Sequence, residues 1–404
     1  MPRRLLLFAA TTGYQIRVFA DAAKRLGIDL TLATDRCHIL EDPWGDRAIP
    51  VRFDHIEESV GMLGGMWFDG IAAVGDRPAL LAAETAEALG VKFHPAAAAR
   101  ACCDKFLARQ LYAAAGLRVP EFFRAETAED PGALARRAPY PCVLKPIGLS
   151  ASRGVIRAND ADEFTAALRR IGAMGESRVQ VESYIPGREF AIEALMSCGE
   201  FQPLAIFDKP DPLEGPFFEE TIYVTPSRQP PVVQAALVET AGRGARALGL
   251  QHGPVHAELR YNQEGAWILE MHARPIGGLC ARTLRFDSQP LEELILRHAM
   301  GEEVGGARVD GPASGVMMIP IPKGGVYRSV EGEERAAAVE GIEDVMITAK
   351  PGQMLLPLPE GAAYLGFIFA RSGSPAEVEA ALRRAHGELR FEIATALPTL
   401  KVGD

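Results

Sequence analysis

Apolar and polar positions change period along this chain, and the changes mark its elements. Leu5–Ala10 is a continuous apolar run of the buried parallel-strand type, followed by a loop at Thr11-Thr12-Gly13. Ile16, Phe19, Ala22, Ala23 and Leu26 then share one helical face that ends at Gly27, and Asp29–Thr34 is a second strand. The unit recurs as a strand Gly70–Val74, a loop at Gly75-Asp76 and a helix Pro78–Leu89, which predicts a small α/β domain of βαβ units. Ala96–Ala115 reads as one long helix closed by Gly116. A strand Tyr140–Pro146, a Gly/Ser loop Ile147–Gly154 and a strand Val155–Ala158 follow, and Asp160 caps a helix to about Ile171. Val179–Tyr184 leads through Ile185-Pro186-Gly187 into Arg188–Met196, whose alternation predicts a half-buried strand, and Phe201–Lys209 continues an antiparallel sheet. Six prolines from Pro210 to Pro231 make Pro210–Gln229 loop-rich, a candidate mobile cover. Val232–Leu248 is helical. Beyond residue 311 the pattern is α+β: strands Gly315–Pro320, Ile342–Thr348 and Tyr364–Ala370, then a helix from Pro375 to about His386.

A length of 404 residues exceeds one ordinary core and suggests about two to four domains. The elements divide them at 1–95, 96–180, 181–310 and 311–404. A formal net charge of −10 leaves no basic excess for a nucleic-acid polymer or a membrane surface. The six cysteines lack C-x-x-C spacing, so neither a zinc ribbon nor a disulfide framework is expected, and Cys102-Cys103 reads as reduced and buried. The short apolar run after Arg3-Arg4 passes directly into an amphipathic pattern and reads as a first core strand rather than a leader. No stretch approaches the ~20 apolar residues of a membrane span, and a cytoplasmic protein is expected.

Candidate chemistry concentrates in Gly253–Gly278, two strands joined by Asn262-Gln263-Glu264-Gly265. Folding about that turn, with Gly265 as a bulge, sets Glu258 beside Glu270 across the ladder. Like charges so placed repel unless compensated, and Mg²⁺ favours one or two carboxylates together with nucleotide phosphates. His272 and Arg274 share the parity of Glu270. A solvated face with scattered charge is the other reading of these residues. Upstream, Lys105 and Arg109 share a helix face, and Lys145 stands at the root of a loop containing Ser150, Ser152 and Gly154, a cradle for polyphosphate. Glu182 and Glu189 flank a Pro-Gly turn, suited either to an adenine and its ribose or to pairing with arginines. Neither G-x-G-x-x-G nor G-x4-G-K-[ST] occurs, which weakens dehydrogenase and P-loop readings.

In order, these motifs resemble the ATP-grasp superfamily of carboxylate–amine ligases over about residues 1–300. Ala273–Gly278 (ARPIGG), Phe217–Ser227 (FFEETIYVTPS) and Gly361–Phe369 look most like the bacterial L-amino-acid (dipeptide) ligases and carnosine-synthase-like proteins. The resemblance implies an α/β and α+β multidomain ATP-grasp fold, with an N-terminal Rossmann-like pre-ATP-grasp domain and a small C-terminal α+β domain. It implies ATP and Mg²⁺, with Mn²⁺ as a substitute, and small carboxylate and amine substrates that include amino acids. Lys105, Lys145 and the Ser150–Ser152–Gly154 loop would hold the phosphates. Glu182 with the backbone at Tyr184 and Ile185 would take the adenine, and Glu189 the ribose. Glu258, Glu270 and His272 would form the metal site. Arg274 would stabilise the transferred phosphoryl group and contact substrate, with the N–H groups of Gly277 and Gly278 as oxyanion donors. Glu220 would take a substrate amino group, with Tyr223, His256 and Gly278 beside it.

Two positions depart from the family pattern. His272 stands where an asparagine is usual, and Tyr223 where the E-x-x-H histidine is usual. The reaction expected is amide or peptide bond formation through an acyl phosphate, releasing ADP and phosphate. A purine-pathway or biotin-carboxylase-like ligase, a phosphotransferase and an ATP-binding regulator are the other readings.

Overall fold

The computed structural model describes residues 3–10, 15–35, 48–307 and 309–395. The Thr11-Thr12-Gly13 loop lies outside the described residues. The chain divides into two compact units: residues 1–119, 189–208 and 227–311 form one, and residues 120–188, 209–226 and 312–404 the other.

In the first unit, strands Ala48–Pro50, Asp29–Thr34, Arg4–Ala9 and Gly70–Val74 make a parallel sheet in that order, its central run Leu5–Ala9 fully buried. Strand Gly70–Val74 passes into helix Asp76–Leu89, which starts two residues earlier than the pattern predicts, so Asp76 opens the helix instead of lying in a loop. The region expected as one helix is two, Ala96–Cys102 and Lys105–Ala114. The physical reason is Asp104: its carboxylate accepts from the Leu107 N–H and caps a new helix, and an extended cap residue ends the preceding one. Strands Gly265–His272, Gly253–Asn262, Arg188–Ser197 and Glu200–Lys209 are also neighbours in that order, with helix Pro231–Leu248 packed on the first two. Arg188–Ser197 is buried on both faces from Glu189 to Met196, not half-buried. Its alternate polar residues, Glu189 and Glu193, point into the protein and are paired there.

The hairpin pairs Glu258 with Glu270, as the pattern requires, by a different route. Asn262 faces Gly265 directly, and Gly265 serves the tight turn with φ +112. The extra residue lies instead between the pairs Leu259–Ile268 and Glu258–Glu270, which makes Leu269 the bulge.

In the second unit, strands Phe122–Glu126, Arg178–Ser183, Cys142–Pro146 and Ile156–Ala158 form an antiparallel sheet, with Asp160 capping helix Ala161–Ala173 as expected. Strands Ile222–Thr225, Ala313–Ile319, Gly366–Ser372 and Ile342–Ile347 form another, on which helix Pro375–Glu388 packs. The proline-rich segment is therefore loop only in part: Ile222–Thr225 is a buried strand, because it pairs with Ala313–Ile319 and sends Ile222 and Val224 into an apolar core. Strands Gly325–Glu331, Met354–Leu355 and Arg390–Ala394 add a third sheet that the pattern did not reveal.

Helix Pro231–Leu248 approaches the hairpin through Gly244, where an added methyl would lie 2.2 Å from Ile268 Cδ1 and 3.2 Å from Met271 Cε. Gly244→Ala should therefore destabilise the protein by about 1–3 kcal/mol in chemical unfolding. Ile268→Val removes the clashing Cδ1, and in the Gly244→Ala background it should restore part of that loss.

Candidate active site

One face of the hairpin collects the chemistry. His256 is directly opposite His272, and Glu258 directly opposite Glu270. Both imidazoles are buried and their rings stack with centroids 5.8 Å apart. Partners from other elements hold Glu270, His272, Arg274 and His256 on this face. Lys105, at the first turn of its helix, sends its ammonium to within 2.9 Å of the Glu270 carboxylate. Burial alone would lower the Lys105 pKa, but the carboxylates of Glu270, Asp76 and Glu258 together outweigh it and hold the lysine above its ordinary value.

Asp76 holds two of the predicted residues at once. Its Oδ1 accepts from His272 Nδ1 at 2.8 Å and from Arg274 Nε at 2.8 Å, and Arg274 Nη1 donates to the Pro275 carbonyl at 3.0 Å. Burial opposes the Asp76 charge, yet the Arg274 guanidinium and His272 hold its carboxyl well below the usual range. The same pairing raises Arg274 against its own burial. His272 turns its other nitrogen toward Glu270, with Nε2 3.9 Å from Oε1. An imidazole that gives Nδ1–H to a carboxylate presents Nε2 as an oriented donor, the usual arrangement of a metal-binding histidine. The Glu258–Glu270 pair fits a hard divalent cation, and an imidazole beside it suits Mn²⁺ better than Mg²⁺.

Glu193 plays the corresponding part for His256. One carboxylate oxygen accepts from His256 Nδ1, and the other accepts from the Ile276 N–H at 3.0 Å. His256 Nε2 then lies 3.3 Å from Glu258 Oε1. Burial pushes His256 below its usual value, with the Glu193 carboxylate opposing. Gln15 donates to the Ile276 carbonyl at 2.8 Å, so the backbone is clamped on both sides just before Gly277 and Gly278. Gly277 is exposed, and Gly278 turns with φ +62. Glu189 is buried and accepts from Arg260 Nε at 2.9 Å, the arginine pairing the sequence left open.

In the second unit, Lys145 Nζ lies 2.5 Å from Glu182 Oε1, and Gln180 donates to the other Glu182 oxygen at 2.7 Å. Glu182 is thus buried beside the lysine. The Tyr184 N–H donates to the Pro141 carbonyl at 2.8 Å, and the Tyr184 ring carries Arg157 4.2 Å above it. Ile185 is buried. The loop after Lys145 exposes Ser150, half-buries Ser152 and returns through Gly154, whose N–H bonds the Pro359 carbonyl at 2.9 Å. Only glycine fits there, since a Cβ would lie 2.6 Å from Pro146 Cγ at φ +66. Glu220 is paired with Lys209, whose ammonium lies 5.0 Å from the ring centroid of the buried Tyr223. The positive charge absent at position 223 is therefore present beside it, on a residue that the pattern showed only as the end of a strand.

Asp76, Glu193 and Lys209 were not legible as site residues. Asp76 and Glu193 are remote in sequence from the groups they hold, Lys209 is 11 positions from Glu220, and a single acid or lysine at the end or middle of an element carries no local signal. Only Glu193 offered a hint, as an acid in an otherwise apolar strand.

Residues 138–283 match the ATP-grasp domain family, and residues 317–394 match L-amino acid ligase C-terminal domain 2. The crystal structure of an L-amino acid ligase from Bacillus licheniformis superposes with a TM-score of 0.81 at 26% identity, covering 97% of this chain and 99% of that one. A biotin carboxylase from Campylobacter jejuni shares the fold alone, at 16% identity and a TM-score of 0.67 over 98% of this chain and 93% of that one. Alanine–anticapsin ligase of Bacillus subtilis is 28% identical over 247 residues, 55% of this chain and 52% of that protein. The chain thus spans about half the length of that curated relative. No described helix is long and apolar enough to cross a membrane. By these two domain matches and the structural likeness over nearly its whole length, the chain carries an ATP-grasp domain at residues 138–283 and the C-terminal domain of the L-amino acid ligases at residues 317–394.

Proposed function

We propose that this protein is an ATP-dependent carboxylate–amine ligase that joins an amino acid to a second small molecule through an acyl phosphate. The observation that carries the reading is the Glu258–Glu270 pair, flanked on its own face by His256, His272 and Arg274. The L-amino acid ligase likeness over nearly the whole chain supports the acid and amine substrates.

Glu258 and Glu270 would hold Mg²⁺ or Mn²⁺, with His272 Nε2 beside them, and the bound ion would offset charge on the nucleotide phosphates. Lys105 keeps its positive charge under burial because Glu270 faces it, so it enters the reaction as a fixed cation. Lys145 is steered by Glu182 and has further N–H donors for phosphate oxygens. The substrate carboxylate attacks the γ-phosphate in line, the bond to the ADP oxygen breaks, and an acyl phosphate forms. The amine then adds to the acyl carbon, loses a proton, and phosphate leaves as the amide forms. Arg274 spreads the charge of the transferring phosphoryl group and of the oxyanion that follows, and it needs no reorganisation because Asp76 already orients it. The Gly277 and Gly278 N–H groups assist on a backbone clamped by Glu193 and Gln15. Glu220 shares its carboxylate between Lys209 and the substrate ammonium. The Ser150–Gly154 loop keeps water from the acyl phosphate.

Three outcomes test this reading. ADP and phosphate should accumulate only when a carboxylate and an amine are both present, with a product lighter than their sum by one water in mass spectrometry. Turnover with one partner alone, or phosphate retained on an organic product, would refute it. Arg274→Ala should lower kcat by a factor on the order of 10²–10³ in steady-state assays. Asp76→Asn should lower kcat less, since the guanidinium stays but loses its anchor. The pH dependence of stability has a definite sign. The Asp76 carboxyl is depressed in the folded protein, so its stabilisation is complete above the unfolded value of about 3.9 and is lost as pH falls through the lower folded value. In urea unfolding, the gap between wild type and Asp76→Asn should be widest near neutral pH and narrow steadily below about pH 4.

A further inference from the structure

Helix Lys105–Ala114 brings two cations to the hairpin, one turn apart, and they act on different parts of it. Lys105 meets the Glu270 carboxylate. Arg109 is 2% exposed and donates Nη1 to the Ile268 carbonyl at 2.6 Å and Nη2 to the Leu269 carbonyl at 3.2 Å. Those two carbonyls belong to the bulge and to the residue just before it.

The bulge decides which way Glu270 points. On the turn side the ladder is regular, with Leu259 opposite Ile268. Continued without an extra residue, Leu269 would face Glu258 and Glu270 would turn to the opposite side. That side is the apolar core, where Leu259, Ile268 and Met271 are buried. A bulge carries its own cost, because the extra residue's carbonyl has no ladder donor and a buried carbonyl needs one. The planar fork of a guanidinium can serve two neighbouring carbonyls together, which a single ammonium at the same distance cannot do in the same geometry.

We infer that Arg109 is a positioning residue for the acid pair: by holding the bulge at Leu269 it keeps Glu270 on the Glu258 face and so sets the affinity for the divalent cation. The inference rests on reading Glu258 and Glu270 as the metal pair. It assigns Arg109 no contact with substrate.

The test is Mn²⁺ binding to the full chain in the presence of ADP, followed by the electron paramagnetic resonance signal of free Mn²⁺, without turnover. Arg109→Lys and Arg109→Gln each keep a donor but lose the fork, and both should weaken Mn²⁺ binding by about 10-fold or more. Leu237→Ala, a cavity in the core of the same unit that alters neither the bulge nor the acid pair, controls for lost stability, and unfolding midpoints are taken for all variants. It should leave Mn²⁺ affinity within about two-fold of wild type. Wild-type affinity in either folded Arg109 variant overturns the inference, as does an equal loss in Leu237→Ala. Failure of the wild type itself to bind Mn²⁺ with ADP would instead overturn the metal reading, and the Arg109 role with it.

Discussion

Two carboxylates held face to face across one hairpin are the constraint on which the rest of this structure turns. Unit charges about 5 Å apart at an effective dielectric of ~20 repel by about 3 kcal/mol. An exposed ion pair, worth about 0.2–1 kcal/mol, could not offset that. The protein answers with a buried lysine. Lys105 pairs with Glu270 where solvent screening is weak, and with Asp76 and Glu258 nearby the summed attraction reverses the pKa shift that burial would impose. Under the proposed function, a divalent cation carrying nucleotide phosphates would neutralise the negative charge that remains.

Around that pair, the anchoring carboxylates come from elements remote in sequence. Asp76 comes from the N-terminal βαβ unit to hold His272 and Arg274, and Glu193 from a central strand to hold His256 and the Ile276 backbone. Arg260 secures Glu189. Buried ion pairs of this kind add little net stability, but removing one partner leaves an uncompensated charge at a cost of about 3–5 kcal/mol. The arrangement therefore resists rearrangement. Charge stabilisation in a reaction requires that property, since donors already in place need not be reoriented as charge develops.

Much of this was visible before any coordinates. The alternation through Glu258, Glu270, His272 and Arg274 set all four on one face, and the pairing of the two acids followed from the length of the turn. The location of the bulge did not. Placed at Gly265 or at Leu269, one extra residue produces the same downstream register, so the pattern of side chains could not distinguish them. The helix break at Asp104 was concealed by a run of good helix formers on both sides, since propensity shows where a helix can extend and a single capping carboxylate decides where it restarts. Ile222–Thr225 was concealed by its prolines, which flank the strand without interrupting its ladder.

Periodicity, turn chemistry and motif order, all local properties, were enough to indicate the fold class and to single out the two acids, both lysines and the arginine as candidates. Hydrophobic period reports how an element packs, and it does so within a few residues of itself. Tertiary structure alone decided the partners: Asp76 under Arg274, Glu193 behind His256, Arg109 at the bulge, Glu182 on Lys145 and Lys209 on Glu220. Asp76 and Arg274 are 198 positions apart, and Arg109 and Ile268 are 159 apart. Contacts over such separations leave no mark in any local window, because they arise only when the apolar cores assemble and carry the polar groups together.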